Sequence, residues 1–443
     1  MMSKINSERS RKLAWNIVAS FLVKGWAAMV VLLLLPLTLH CLGAYKNGVW
    51  LTISSILVWI DQMDIGLGNG LRNRLAARVA HGEMQEAQSL VSSTVVMLIL
   101  IMLPTLVILV LLVWLTDVYA FLGVSSDLIP ELRTALMCGV TLTCITFVLK
   151  FIGNVYMAMQ LPVVSNLLMA MGQTIALAAT WLLYTTGEAT FLNIVLVNTA
   201  APLAVYALAY PYAFCKQYPC LRPSLRSVSM GKACELARLG VKFFLLQMAG
   251  VVQFMSANLI ISKAFTPEMV TPYQVAYRYI SIVVVVFAVV CMPFWSATTD
   301  AYERGDMQWI RQADRKMHWV MAGVVVMLTL MVAVSPWVYG LWIGDDCNVP
   351  FGMTVMMAFF VLLMLWSMRY SYFLNGIGAL RLQLYMWVMP LLFIPLAWLV
   401  CSLTQNIMWF MVVLCFCTAP SVVVNMMQFH KIMNGTAKGI WRI

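Results

Sequence analysis

Charge is what this sequence has least of. Of its 443 residues only 10% are Asp, Glu, Lys or Arg, where a soluble domain carries roughly a quarter. The shortage runs from end to end. No stretch is polar enough for a separate soluble domain, and the gaps between apolar runs reach only about 15 to 25 residues. Histidine is nearly absent, at four residues. No phosphate-cradling Gly-x-x-x-x-Gly-Lys-Ser/Thr sequence occurs, which excludes a pump with its own nucleotide domain. The eleven cysteines are scattered and mostly sit inside apolar runs. Cys215 and Cys220 share a basic loop and Cys415 and Cys417 share a helix, but neither pair has the second half of a zinc site. They read as small apolar packing residues, and no metal or cofactor is expected. A cleavable leader is not expected either. The first apolar stretch, about Leu13 to Leu39, is too long, and no small-x-small step follows it.

What the sequence has in abundance is apolar length. Hydrophobic residues make up 63%, in runs of about 20, each long enough to cross a hydrocarbon core of about 30 Å. The fold class expected is an all-α polytopic membrane protein with about twelve spans. They fall near 13–39, 47–70, 88–116, 131–153, 161–186, 190–213, 238–264, 271–298, 318–341, 350–374, 383–404 and 406–430. Trp15, Trp50, Trp114, Trp337 and Trp342 lie near span ends, as an interfacial belt places them.

Net charge is +11. The basic residues occupy short loops, so they read as topology signals facing anionic headgroups, with no nucleic-acid partner. With the N-terminus inside, the cytoplasmic segments hold 21 of the 28 Lys and Arg residues. Only Lys46, Arg133 and Lys263 fall outside. Both termini are therefore expected in the cytoplasm. Cys41 and Cys347 fall in outer loops of different halves, so a bridge between them is a further possibility.

The halves repeat at an offset of about 220. Val23-Lys24 matches Val241-Lys242, and Gly82-Glu83-Met84-Gln85 matches Gly305-Asp306-Met307-Gln308. Asn154 matches Asn375, and Thr199-Ala-Ala-Pro202 matches Thr418-Ala-Pro420. Four matches in order imply two six-helix lobes of the same orientation, related by an axis along the membrane normal. The lobes expected are 1–215 and 238–443, joined by a basic cytoplasmic linker at 216–237. Transporters built this way bind substrate between lobes and alternate access.

Charge at membrane depth is costly and marks pathways. Lys24 lies about eleven residues into the first span, roughly 16 Å of rise, on one face with Asn16 and Ser20. Lys242 shares a stripe with Gln253, Ser256 and Lys263. Arg278 shares a face with Gln274 and Ser281, beside Tyr273, Tyr277 and Tyr279. Lys242 and Arg369 sit near inner helix ends, where snorkelling also accounts for them. Asp61 and Asp64 occupy one face near the inner end of the second span, as an ion-coupling site or as an inner-gate pair with Arg72 or Arg74. Tyr277, Tyr370 and Tyr372 lie close to charged positions and are candidates for stacking on sugar rings. No catalytic residue is expected.

Certain features run the length of the chain. They are the basic N-terminus, the Leu-Gly-x-x-x-x-Gly step at Leu42 to Gly48 and Asp64-Ile-Gly-Leu-Gly-Asn-Gly-Leu closing the second span. The inner-loop Gly-Glu-Met-Gln and the six-plus-six plan complete them. In these the sequence resembles the Wzx-type polysaccharide (O-antigen) flippases of the multidrug/oligosaccharidyl-lipid/polysaccharide exporter superfamily. The resemblance implies movement of an undecaprenyl-diphosphate-linked oligosaccharide from the inner to the outer leaflet of a bacterial inner membrane, in lipopolysaccharide or related polysaccharide synthesis. It implies ion coupling, and as partners the lipid-linked substrate, membrane lipids, and a polysaccharide polymerase with its chain-length machinery. It also implies that basic cavity residues face the lipid diphosphate, a role open here to Lys24, Lys242, Arg278 and Arg369. Two rivals remain. A drug/cation antiporter needs acids in its cavity, whereas the deep groups here are mainly basic. A membrane enzyme acting on lipid-linked sugars needs a larger outer loop than about Asp117 to Pro130.

Overall fold

The computed structural model describes residues 2–61, 67–159, 161–229, 231, 256–379, 381–386 and 388–441. Among these residues there is no strand; the chain is helix joined by short turns. It divides into two compact units, Met1–Met248 and Ala249–Ile443.

Unit 1 begins with α1 (Met2–Asp61), which holds the first two expected spans and is broken at Gly43. There φ is 71° and ψ is 168°, a conformation that a Cβ strongly disfavours, so the Leu-Gly step turns one span into the next. The incoming loop docks on this turn, where the Ser125 amide donates to the Tyr45 hydroxyl at 3.0 Å. Then follow α2 (Leu67–Ala80), α3 (Met84–Leu115), α4 (Val118–Leu122), α5 (Leu132–Lys150), α6 (Ile152–Ala158), α7 (Pro162–Thr186) and α8 (Phe191–Pro211). In this unit α5 packs on α3 and α8, and α7 packs on α1 and α8. The α7–α8 seam is close enough that a Cβ on Gly172 would stand 2.9 Å from the Pro202 Cα.

Unit 2 contains a helical stretch at 256–264, α9 (Val270–Glu303), α10 (Met307–Trp342), α11 (Phe351–Ile377), α12 (Arg381–Tyr385), α13 (Val388–Thr404) and α14 (Ile407–Met433). Here α11 packs on α9, α10 and α14, and α13 packs on α14. In both units the fourth span thus packs on the third and the sixth, and the fifth on the sixth.

The repeat is also visible atom by atom. Gly82 and Gly305 both take positive φ, 76° and 74°. The amides of Glu83 and Asp306 donate to the carbonyls of Arg78 and Ala301, at 3.0 and 2.8 Å. Each turn launches the third span of its unit, α3 or α10. The Thr199 and Thr418 hydroxyls both donate to the carbonyl four residues back, at 2.8 Å.

Nine helical segments among the described residues are long and apolar enough to cross a membrane. One of them, Leu22–Ile60, carries two expected spans around Gly43. The eleventh expected span is present as the shorter apolar helix Leu391–Thr404. The seventh lies mostly outside the described residues. Trp114 and Trp337 stand 62% and 72% exposed, as a belt requires, whereas Trp50 is buried in unit 1 and packs in its core. The ten described cysteines are free thiols, Cys41 and Cys347 included.

Candidate functional site

In unit 1, Lys24 projects from α1 and is exposed. It makes no hydrogen bond or ion pair with any described residue. Two positions on, the Trp26 indole N–H donates to the Thr174 hydroxyl of α7 at 3.0 Å. That bond fixes the rotation of this stretch of α1 against α7. Lys242 and Asp64 lie outside the described residues, as does the side chain of Asp61.

The converging ends of α2, α3, α5, α6, α7 and α8 line a cavity of about 170 Å³. Its polar lining includes Lys150, Asn154, Ser165, Asn166 and Tyr206, with Phe147, Phe151 and Met169 among the apolar wall. One wall depends on glycine: a Cβ on Gly153 would meet the Ser165 Oγ at 2.7 Å. Sequence reading took Lys150 only as a topology charge and Asn154 only as a repeat marker. The cavity depends on which helix ends converge, and no local pattern reports that.

In unit 2, Arg278 sits half-buried on α9. On its face the Gln274 amide donates to Asn258 Oδ1 at 2.6 Å. The Tyr279 hydroxyl is committed to the Met331 carbonyl at 3.0 Å. Tyr273 is buried edge-on against Phe410, whereas Tyr277 is half-buried. The structure therefore ties Gln274, one helical turn before Arg278, to Asn258.

Arg369 is placed differently from the expectation. It is fully buried on α11, its Nη2 ion-paired with the Asp314 carboxylate of α10. The same nitrogen donates to the Asp314 carbonyl at 3.2 Å and lies 2.9 Å from His318 Nδ1. A guanidinium so held binds two helices of unit 2 together and is not presented to a ligand. Tyr370 is likewise buried, beneath the Arg369 guanidinium at 4.8 Å and against Phe429, so it offers no ring face to a sugar. Tyr372 is half-buried and packs edge-on against Trp295. Asp314 escaped sequence reading because its partner is 55 residues away and α10 starts earlier than hydropathy alone indicates. The i, i+4 spacing of Asp314 and His318 was the available signal.

No family model matches the chain. A curated protein described as a putative O-antigen export protein, from Yersinia pseudotuberculosis, is 20% identical over 365 residues, covering 78% of this chain and 79% of that one. Among solved structures, the chain is similar to the inward-facing conformation of a multidrug resistance MATE family transporter of the MOP superfamily. That match has a TM-score of 0.77, 14% identity and 94% of each chain covered. The outward-facing conformation of such a transporter matches at a TM-score of 0.65, with 13% identity and 96% of each chain covered. The fold of this chain is the MATE fold, which has two six-helix lobes.

Proposed function

We propose that this chain is a flippase that moves an undecaprenyl-diphosphate-linked oligosaccharide from the inner to the outer leaflet of a bacterial inner membrane by alternating access. The reading is carried by its likeness to an O-antigen export protein over about four fifths of both chains, on an exporter fold. The deep charge supports it. Lys24 is exposed on a spanning helix without a partner among the described residues, and a lipid diphosphate supplies compact negative charge at that depth. Arg278 and Lys242 are proposed as further headgroup contacts, Tyr277 as a sugar-stacking ring, and Asp61 and Asp64 as the coupling or inner-gate pair. Both termini are cytoplasmic in this scheme, and a polymerase with its chain-length machinery receives the product.

Drug/cation antiport is the second reading, favoured by the fold, since the solved neighbours cited are multidrug transporters. Basic groups at depth oppose it, because they repel a cationic drug. The test is complementation in a host that lacks its flippase and makes the cognate lipid-linked repeat. Restored surface polysaccharide with no added resistance to cationic dyes supports the flippase. Dye resistance without polysaccharide favours the antiporter.

A further inference from the structure

The cavity at the converging ends of the unit 1 helices has a chemistry of its own. Asn154 on α6 and Asn166 on α7 both line it. The side chain of neither makes a hydrogen bond to any described residue. A carboxamide offers two N–H donors and a carbonyl acceptor, and here both are open to a bound molecule. The Ser165 hydroxyl and the Lys150 side chain lie on the same lining, together with the apolar surface of Phe147, Phe151 and Met169. Groups that both donate and accept, set against aromatic carbon, match a molecule with a rim of hydroxyls and a C–H face. A bare phosphate is chiefly an acceptor at neutral pH and makes no use of the aromatic wall. A hydrophobic cation uses the aromatic wall and the amide carbonyls but leaves the amide N–H donors unmatched. The volume, about 170 Å³, is that of several waters at about 30 Å³ each, which is room for one sugar ring.

We propose that this cavity is a subsite for a single hexopyranose residue, with Asn154, Asn166 and Ser165 binding its hydroxyls and Phe147 bearing on its C–H face. The assignment deepens the flippase reading and rests on it for the source of the sugar, which is the lipid-linked glycan. It places sugar selection in the first lobe.

The experiment uses the full chain, purified in detergent, with methyl hexopyranosides as probes and saturation-transfer NMR as readout. Inorganic phosphate and glycerol serve as competitors. At least one methyl glycoside should bind saturably, and neither competitor should displace it. The Asn154→Ala/Asn166→Ala pair loses about two hydrogen bonds and should weaken binding about tenfold or more. The conservative Asn154→Gln should weaken it less, and a monodisperse elution profile shows that each variant is folded. The wild type and the double variant are then compared in the flippase-deficient host. Absence of saturable glycoside binding, or displacement by phosphate, overturns the subsite. So does a double variant that binds and transports as the wild type does. Glycoside binding by a wild-type protein that restores no polysaccharide keeps the subsite and removes the flippase reading. Restored polysaccharide without glycoside binding does the reverse.

Discussion

At the scale of single residues, Arg369 of unit 2 is held in a structural ion pair. The Arg369 guanidinium has no exposed surface and meets Asp314, whose side chain is 13% exposed, across the α10–α11 seam. Removing one partner of a buried pair leaves the other charge uncompensated, which costs about 3–5 kcal/mol. Arg369→Met should therefore lower the melting temperature of the purified protein sharply. The Arg369→Met/Asp314→Leu pair should recover most of that loss, because the orphaned carboxylate is gone. Equal melting temperatures for the single and double variants would show that the pair is not coupled.

Cys347, in the turn before α11, makes a second residue-scale prediction. Burial, with the charge of Asp346 added, pushes its thiol up to about 11. The thiolate is the reactive form, so maleimide labelling should rise about tenfold per pH unit and keep rising beyond pH 9, where an ordinary thiol ionising near about 8.5 levels off. Asp346→Asn removes one raising cause and should speed labelling at pH 8. A labelling rate that saturates at pH 9 in the wild type would contradict this placement of the thiol.

At the scale of elements, turns carry more of the fold than helix interiors do. Gly43 holds φ at 71° between two spanning segments, and an alanine there is strained by about 1–3 kcal/mol. Gly43→Ala should reduce thermal stability measurably, whereas Gly25→Ala, on the same helix with open space around the new methyl, should not. Equal stability of the two variants would remove the argument from the Gly43 conformation. The paired turns at Gly82 and Gly305 were legible in the sequence as a short match and proved to be one backbone design used twice. Spans were legible for the simplest reason: about 20 apolar residues at 1.5 Å each must cross a bilayer. Side-chain fate was less legible. Hydropathy registers Arg278 and Arg369 alike as charges in apolar runs. Only long-range packing, such as α10 reaching Asp314 beneath α11, separates a ligand candidate from a structural ion pair. The unit 1 cavity was hidden for the same reason, since six helix ends build it and each contributes one to three ordinary residues.

At the scale of the whole molecule, transport requires a ligand whose binding free energy differs between states. A lipid diphosphate supplies it only if charge meets charge where the chain is thin in charge, and Lys24 is the exposed case on a described spanning helix of unit 1. An ammonium at mid-membrane costs at least about 2.5–3.5 kcal/mol on insertion scales. Replacing it by alanine should leave stability intact or raised. Transport should behave oppositely. Lys24→Ala should cut surface polysaccharide about tenfold or more in the flippase-deficient host, at unchanged protein level. Lys24→Arg keeps the charge and should retain most activity. A helix-packing role predicts the reverse ordering, because the larger guanidinium disturbs packing more than alanine does. Lys242, the repeat partner of Lys24 by sequence, provides the second arm. Its alanine variant should also impair transport, and the double variant should fall to the level of the empty host. Full surface polysaccharide from the Lys24→Ala/Lys242→Ala protein would mean that the diphosphate is held elsewhere, with Arg278 the next residue to test.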